Sequence, residues 1–184
     1  MKKLTLGFVG NKKHFFIMGL SLLFLNFSFP KRLEKKIRKS ILKTFNITDY
    51  QLNIINISTK TSTKVINSTN FYSIKNEAEI LGYALVDKAA SKAYDFDYMV
   101  LLNSELEIIN INILIYREEH GNEISSKRWL KQFFGLGTKD EAILQKNIDG
   151  ISGATISVRS MTTEINTVLA DLTILEKKKI IPIN

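Results

Sequence analysis

The order of hydrophobic patterns predicts an α+β fold, an antiparallel sheet with flanking helices, preceded by an N-terminal hydrophobic segment. Three observations carry this. Between residues 50 and 116, short runs rich in isoleucine, tyrosine and valine alternate with polar turns, as strands do. The runs 98–102 and 108–116 are separated by a turn at Asn103-Ser104 and pair naturally as a hairpin, hence antiparallel. The 3.6-residue period appears outside this block, so the helices gather at its ends instead of alternating with the strands.

Taken in order, residues 15–29 are almost wholly apolar and end at Pro30. Preceded by Lys2, Lys3, Lys12 and Lys13, they resemble a secretory signal peptide, and they fall short of the roughly 20 apolar residues of a full membrane span. Residues 1–30 are therefore expected to be a signal peptide or membrane anchor. No small-x-small cleavage site stands near Pro30, and the basic residues after the run oppose the positive-inside rule. Residues 31–49 form an amphipathic basic stretch, a helix over 31–46 with Leu33, Ile37, Ile41 and Phe45 four residues apart. It suits either an anionic membrane surface or packing on the domain with a solvated basic face.

Leu52, Ile54, Ile55 and Ile57 then suggest a strand, as do Phe71–Lys75, Ile80–Val86, Tyr98–Leu102 and Ile108–Tyr116. A short helix over 126–135 carries Trp129, Leu130 and Phe133 on one face, which makes Trp129 a core residue. A clearer helix spans 156–172, with Val158, Met161, Ile165, Val168, Leu169 and Leu172 at helical spacing. The tail, 176–184, is expected to be exposed. The folded domain is thus assigned to residues 50–175.

The composition excludes several classes of function. With no cysteine there are no disulfides, zinc–thiolate sites, iron–sulfur clusters or thiol nucleophiles, and two histidines, His14 and His120, do not make a histidine metal site. The net charge of +8 is concentrated at the start: four lysines before residue 14, then seven basic residues against Glu34 between 31 and 43. Those ten charges leave residues 44–184 at −2. This is the pattern of a membrane-proximal start, not of a nucleic-acid-binding face. No Ser-His-Asp order, Walker loop or dinucleotide-binding fingerprint is present. That argues against a stand-alone enzyme.

The chemistry gathers before the 156–172 helix. In Asp149-Gly150-Ile151-Ser152-Gly153-Ala154-Thr155, small residues let the backbone approach a ligand closely. The first N–H groups of the helix have no partner inside it and point, with the positive end of its dipole, at an anion. Ser152, Thr155 and Ser157 add hydroxyls. Spacing alone supports an anion site there, or equally an N-cap in which the Thr155 hydroxyl satisfies one helix N–H.

The segment resembles the flavinylation motif of the FMN-binding domain family, Asp-x-x-Ser/Thr-Gly-Ala-Thr, filled here by Asp149, Ser152, Gly153, Ala154 and Thr155, with Ser157 a small hydroxyl two residues on. This family includes the covalent-flavin subunits of the Rnf and sodium-translocating NADH:quinone reductase complexes. The resemblance runs from about Leu81 to Leu172, through Gly82-Tyr83-Ala84, the segment Tyr94–Tyr98 and the isoleucine-rich strand. It implies FMN joined through its phosphate to Thr155 by a flavin transferase with FAD as donor. It also implies an electron carrier or redox subunit, exported to the periplasm or anchored to the outer face of the cytoplasmic membrane, exchanging electrons with membrane-associated redox partners. A loop that reads Glu-Thr-Pro-Gly in many relatives is Glu118-Glu119-His120-Gly121 here, without the proline. Glu119, His120 and Gly121 are expected to border the flavin, with Glu119 preferred to Glu118, and Tyr94 or Tyr98 offers an aromatic face to the ring. Two other readings remain: a flavin-free or regulatory binding module of the same fold, and a reductase with non-covalent FMN.

Overall fold

The computed structural model describes residues 30–61 and 63–181; the segment 1–29, expected to be a signal or anchor, lies outside them. Five strands form one antiparallel meander in the order β1-β2-β3-β4-β5: β1 Gln51–Ile54, β2 Phe71–Asn76, β3 Glu79–Ala89, β4 Phe96–Asn103 and β5 Ile108–Ile115. The helices are α1 Lys31–Phe45, a short α2 Lys127–Leu130 that continues as a 3₁₀ turn, and α3 Thr155–Lys177. This is the predicted α+β architecture.

Period-2 alternation divides the sheet between two apolar layers. On one face Tyr83, Leu85, Tyr98, Val100 and Leu102 meet Met161, Ile165, Val168 and Leu172 of α3. On the other, Ala84, Met99 and Leu101 meet Leu33, Ile37 and Ile41 of α1. The inner strand β4 is covered on both sides and buried from Phe96 to Leu102. Burying each of the three α1 aliphatics contributes about 2 kcal/mol. The apolar stripe of α1 is therefore spent on the sheet, and the helix is a layer of the domain.

The path of α1 is fixed by polar contacts with β5. Lys36 Nζ donates to the Leu114 carbonyl, Ser40 Oγ to Asn112 Oδ1, and Asn110 Nδ2 to Thr44 Oγ1 at 2.6 Å. As α1 advances, β5 recedes. The two run antiparallel, with the start of α1 beside the end of β5.

The structure differs from the sequence reading at two places. β1 stops at Ile54, because Ile55 and Ile57 turn into the core as the chain leaves the sheet. The connection that follows hangs on α3: the buried Asp171 carboxylate accepts the N–H groups of Lys64 (2.9 Å), Val65 (2.7 Å) and Ile66 (2.9 Å). Of the described tail, residues 176–179 are exposed as expected, whereas Ile181 packs into the core. Among the described residues no helix is long and apolar enough to cross a membrane.

Candidate functional site

A cleft of about 750 Å³ opens at one end of the sheet, within the usual size range of ligand pockets. Three segments wall it. Ser91–Tyr94 follow β3, Tyr116–His120 follow β5, and Gly153–Ser157 lead into α3. The meander brings them together, since antiparallel β3 and β5 both end on this side.

At the α3 wall, Gly153 takes φ +79°, a left-handed turn that favours glycine. The N-cap is Ala154, which has no polar side chain, and α3 begins with Val158 N–H donating to the Ala154 carbonyl at 2.9 Å. The N–H groups of Thr155, Ile156 and Ser157 thus lack intrahelical partners and stand at the positive end of a 23-residue helix. Thr155 is exposed, and its hydroxyl makes no hydrogen bond among the described residues. It is not the capping residue, which removes the cap explanation of its place in the sequence.

Ser157 has a different role from its neighbours. It is buried, and its hydroxyl is bonded to those of Ser91 and of Tyr116, the latter at 3.2 Å. The Tyr116 hydroxyl also donates to the His120 carbonyl at 3.1 Å. This hydroxyl chain pins all three walls together. Gly121 sits behind it at φ +81°, where an added Cβ would stand 2.9 Å from Ala154 Cβ and 2.9 Å from the Tyr116 hydroxyl.

The third wall is held by Glu118, whose carboxylate accepts the N–H groups of Ala93 (2.7 Å) and Tyr94 (3.0 Å). Those bonds hold its carboxyl below the usual carboxylate range. The adjacent Arg117 pairs with Asp97 and donates to the Asp95 carbonyl at 2.6 Å. Tyr94 is left 62% exposed at the rim, a large aromatic face open to a ligand. Lys92 lines the same rim, and no ion pair engages it among the described residues.

Of the residues singled out in the sequence, Gly153, Ala154, Thr155, Ser157, Glu119 and His120 line the cleft. Asp149, Ser152 and Gly121 stand outside its lining. Asp149 braces the approach through its backbone, accepting from Trp129 Nε1 at 2.8 Å and donating to Gln132 Oε1 at 2.8 Å. Tyr98 is corrected outright: it is fully buried beside Val100 on the α3 face of the sheet, because its register on β4 points it inward. Of the two tyrosines expected to face the ring, the one at the cleft is Tyr94, before the strand begins. Both Glu118 and Glu119 line the cleft, but Glu118 is the one anchored to the opposite wall. Tyr116, Arg117, Ser91 and Lys92 were not anticipated. Tyr116 alone had a signal, an aromatic closing an isoleucine-rich strand.

The geometry fits a phosphate-bearing, flat aromatic ligand: unpaired N–H groups and a free hydroxyl at one end, an open aromatic at the rim, and room between. Residues 92–170 match the family model of the FMN-binding domain. No curated protein matches the chain.

Proposed function

We propose, from the match of residues 92–170 to the family model of the FMN-binding domain, that the chain is an electron-transfer flavoprotein carrying FMN covalently on Thr155. The observation that carries the reading is the exposed, unbonded Thr155 hydroxyl over the unpaired N–H groups opening α3. Bound FMN supplies one- and two-electron redox chemistry. The protein's part is to bind, orient and set the charge.

In attachment, the Thr155 oxygen replaces AMP on the FMN phosphorus of FAD within a flavin transferase, and the hydroxyl proton leaves. The helix N-terminus then stabilises the phosphodiester charge without a cationic side chain. Tyr94 offers a stacking face, while Glu119 and His120 border the ring. Lys92 contributes a positive charge that favours a reduced, anionic ring. Ser157, Tyr116 and Glu118 hold these walls together. Export, attachment to the membrane through residues 15–29, and membrane-associated redox partners complete the proposal. A covalent link suits such a site, where a dissociated cofactor is not recovered.

The test is co-expression with a flavin transferase, followed by intact mass and in-gel fluorescence of the denatured protein. Wild type and Thr155→Ser are expected to gain one FMN, and Thr155→Ala none. Fluorescence persisting in Thr155→Ala would sink the assignment. Flavin released on denaturation would instead support non-covalent binding, and an unmodified chain without flavin a cofactor-free module. Protease accessibility in intact cells tests the export reading, with digestion only after lysis counting against it.

A further inference from the structure

We propose that the outward face of α1 is a docking surface for anionic lipid headgroups. Lys31, Lys35, Lys39 and Lys43 recur every four residues and so form one strip along the helix, with Arg32 beside it. All five are exposed, and no ion pair or hydrogen bond engages them among the described residues. Glu34 is the one acidic residue of α1, and Asp49 approaches Arg38 at 3.9 Å, with the Arg38 guanidinium 5.7 Å over the Tyr50 ring.

The strip works against the helix that carries it. Like charges at i,i+4 repel each other. Lys31 and Arg32 also stand at the positive end of the helix dipole, where anions are favoured. Packing does not demand any of these residues, because the stripe that holds α1 to the sheet is Leu33, Ile37 and Ile41 on the opposite side. An anionic surface reverses both penalties.

The form and place of the strip select a lipid surface. From Lys31 to Lys43 the four lysines climb roughly 18 Å and wind by about 120° around the outward side of the helix, a broad basic face that a plane of phosphates can meet. It begins one residue after the apolar run 15–29 and its closing Pro30. A basic face beside a membrane-seeking run meets acidic headgroups in whichever leaflet carries them, each Lys or Arg near the surface contributing about 1 kcal/mol. Residues 44–184 carry only −2, so among the described residues the net positive charge belongs to this helix. The inference draws on the proposed membrane attachment to choose the partner, and flavin on Thr155 is not part of it.

The chain has no cysteine. Full-length protein bearing Leu42→Cys on the outer side of α1 therefore takes a single dye. Bound to vesicles whose headgroups carry a nitroxide quencher, the dye is expected to be quenched on phosphatidylcholine mixed with phosphatidylglycerol and not on phosphatidylcholine alone. Raising salt from about 0.1 M to about 1 M shortens the screening length from ~10 Å to ~3 Å and should abolish the difference. Replacing Lys31, Lys35, Lys39 and Lys43 by Gln should weaken docking about fivefold per charge, hence several-hundred-fold in total. Replacing Lys177, Lys178 and Lys179 should leave it unchanged. A melting temperature in the quadruple variant no lower than that of wild type shows that the fold is intact. Equal quenching on both lipids, or undiminished quenching in that variant, overturns the proposal. So does retention on RNA or heparin without quenching on the acidic vesicles, which would mark a soluble polyanion as the partner. Flavin content is measured separately, so its absence in wild type counts against the Thr155 reading alone.

Discussion

Replacing Gly121 by alanine tests how the cleft is built. The residue stands at φ +81°, and the new Cβ would lie 2.9 Å from both Ala154 Cβ and the Tyr116 hydroxyl. The left-handed conformation costs an alanine roughly 1–2 kcal/mol. Forcing a methyl into filled space adds about 1–3 kcal/mol. Against these, loss of unfolded-state freedom returns roughly 0.4–1 kcal/mol. The net is a destabilisation of about 2–4 kcal/mol, which in a chain of this size lowers Tm by roughly 5–15 °C. Gly135→Ala is the internal control: Gly135 has φ +84° with nothing within 4 Å of an added Cβ, so it carries the strain without the clash. Calorimetry of the two variants should give a distinctly larger loss for Gly121→Ala. Because the clash falls on Ala154, one residue before Thr155, FMN incorporation should fall in that variant too. Equal melting temperatures for the two variants would falsify the claim that close packing of Gly121 sets the distance between the Glu118–Gly121 loop and α3.

Further expectations follow from other groups. Thr155→Ala, at an exposed position with no hydrogen bond to lose, should move stability by less than about 0.5 kcal/mol in the flavin-free protein, as calorimetry will show. Asp171→Ala strips three backbone N–H groups of their acceptor and should cost roughly 3–5 kcal/mol, read as a Tm drop of about 8–15 °C. Burial, with Asp87 nearby, raises the Glu164 carboxyl above its ordinary range, so its ionisation opposes folding: the penalty is absent below the ordinary carboxyl pKa and complete above the raised one. Glu164→Gln should then stabilise at neutral pH by on the order of 0.5 kcal/mol after solvent screening, with the gain vanishing in acid. Glu118 shifts downward, so its hold on Ala93 and Tyr94 is present above the ordinary carboxyl pKa and is lost as pH falls through the lowered one. Faster amide exchange at those two residues in acid, after correction for intrinsic rates, and in Glu118→Gln at neutral pH would report that release.

The strands, the amphipathic α1 and the α3 face were legible because each follows one period over several residues. Reading failed where a residue's fate depends on something distant in the chain. The phase of β4 groups Tyr98 with Val100 and Leu102 on the buried face; sequence showed an aromatic near a motif, and only pairing with β3 revealed which way it points. Ile55 and Ile57 continue the strand pattern, yet Asp171, more than a hundred residues on, draws the following loop away to α3. In the cleft, the Gly153–Thr155 turn was visible because glycine and small residues before a helix have local meaning. Ser91–Ala93 were not, because nothing in a serine, a lysine and an alanine announces a wall. Their place comes from the parallel exits of β3 and β5 and from the Glu118 carboxylate. Choosing Glu119 over Glu118 was a question of side-chain direction, which adjacent residues leave undecided.

The antiparallel run of α1 along β5 has a mechanical consequence. Lys36 lies at Leu114 and Thr44 at Asn110, so Pro30 enters the domain near the end of β5, where Tyr116 begins the cleft. A body held by a cord at one end moves least at the knot and most at the far tip, here the 103–107 hairpin turn. The cleft is near the knot. With the chain held at Pro30 as proposed above, the mouth of the cleft would sweep a smaller volume around that point than the 103–107 turn, and a partner beside it would be met at a higher local concentration. Lengthening the chain between residues 29 and 31 would enlarge that volume and dilute the encounter without touching a residue of the cleft.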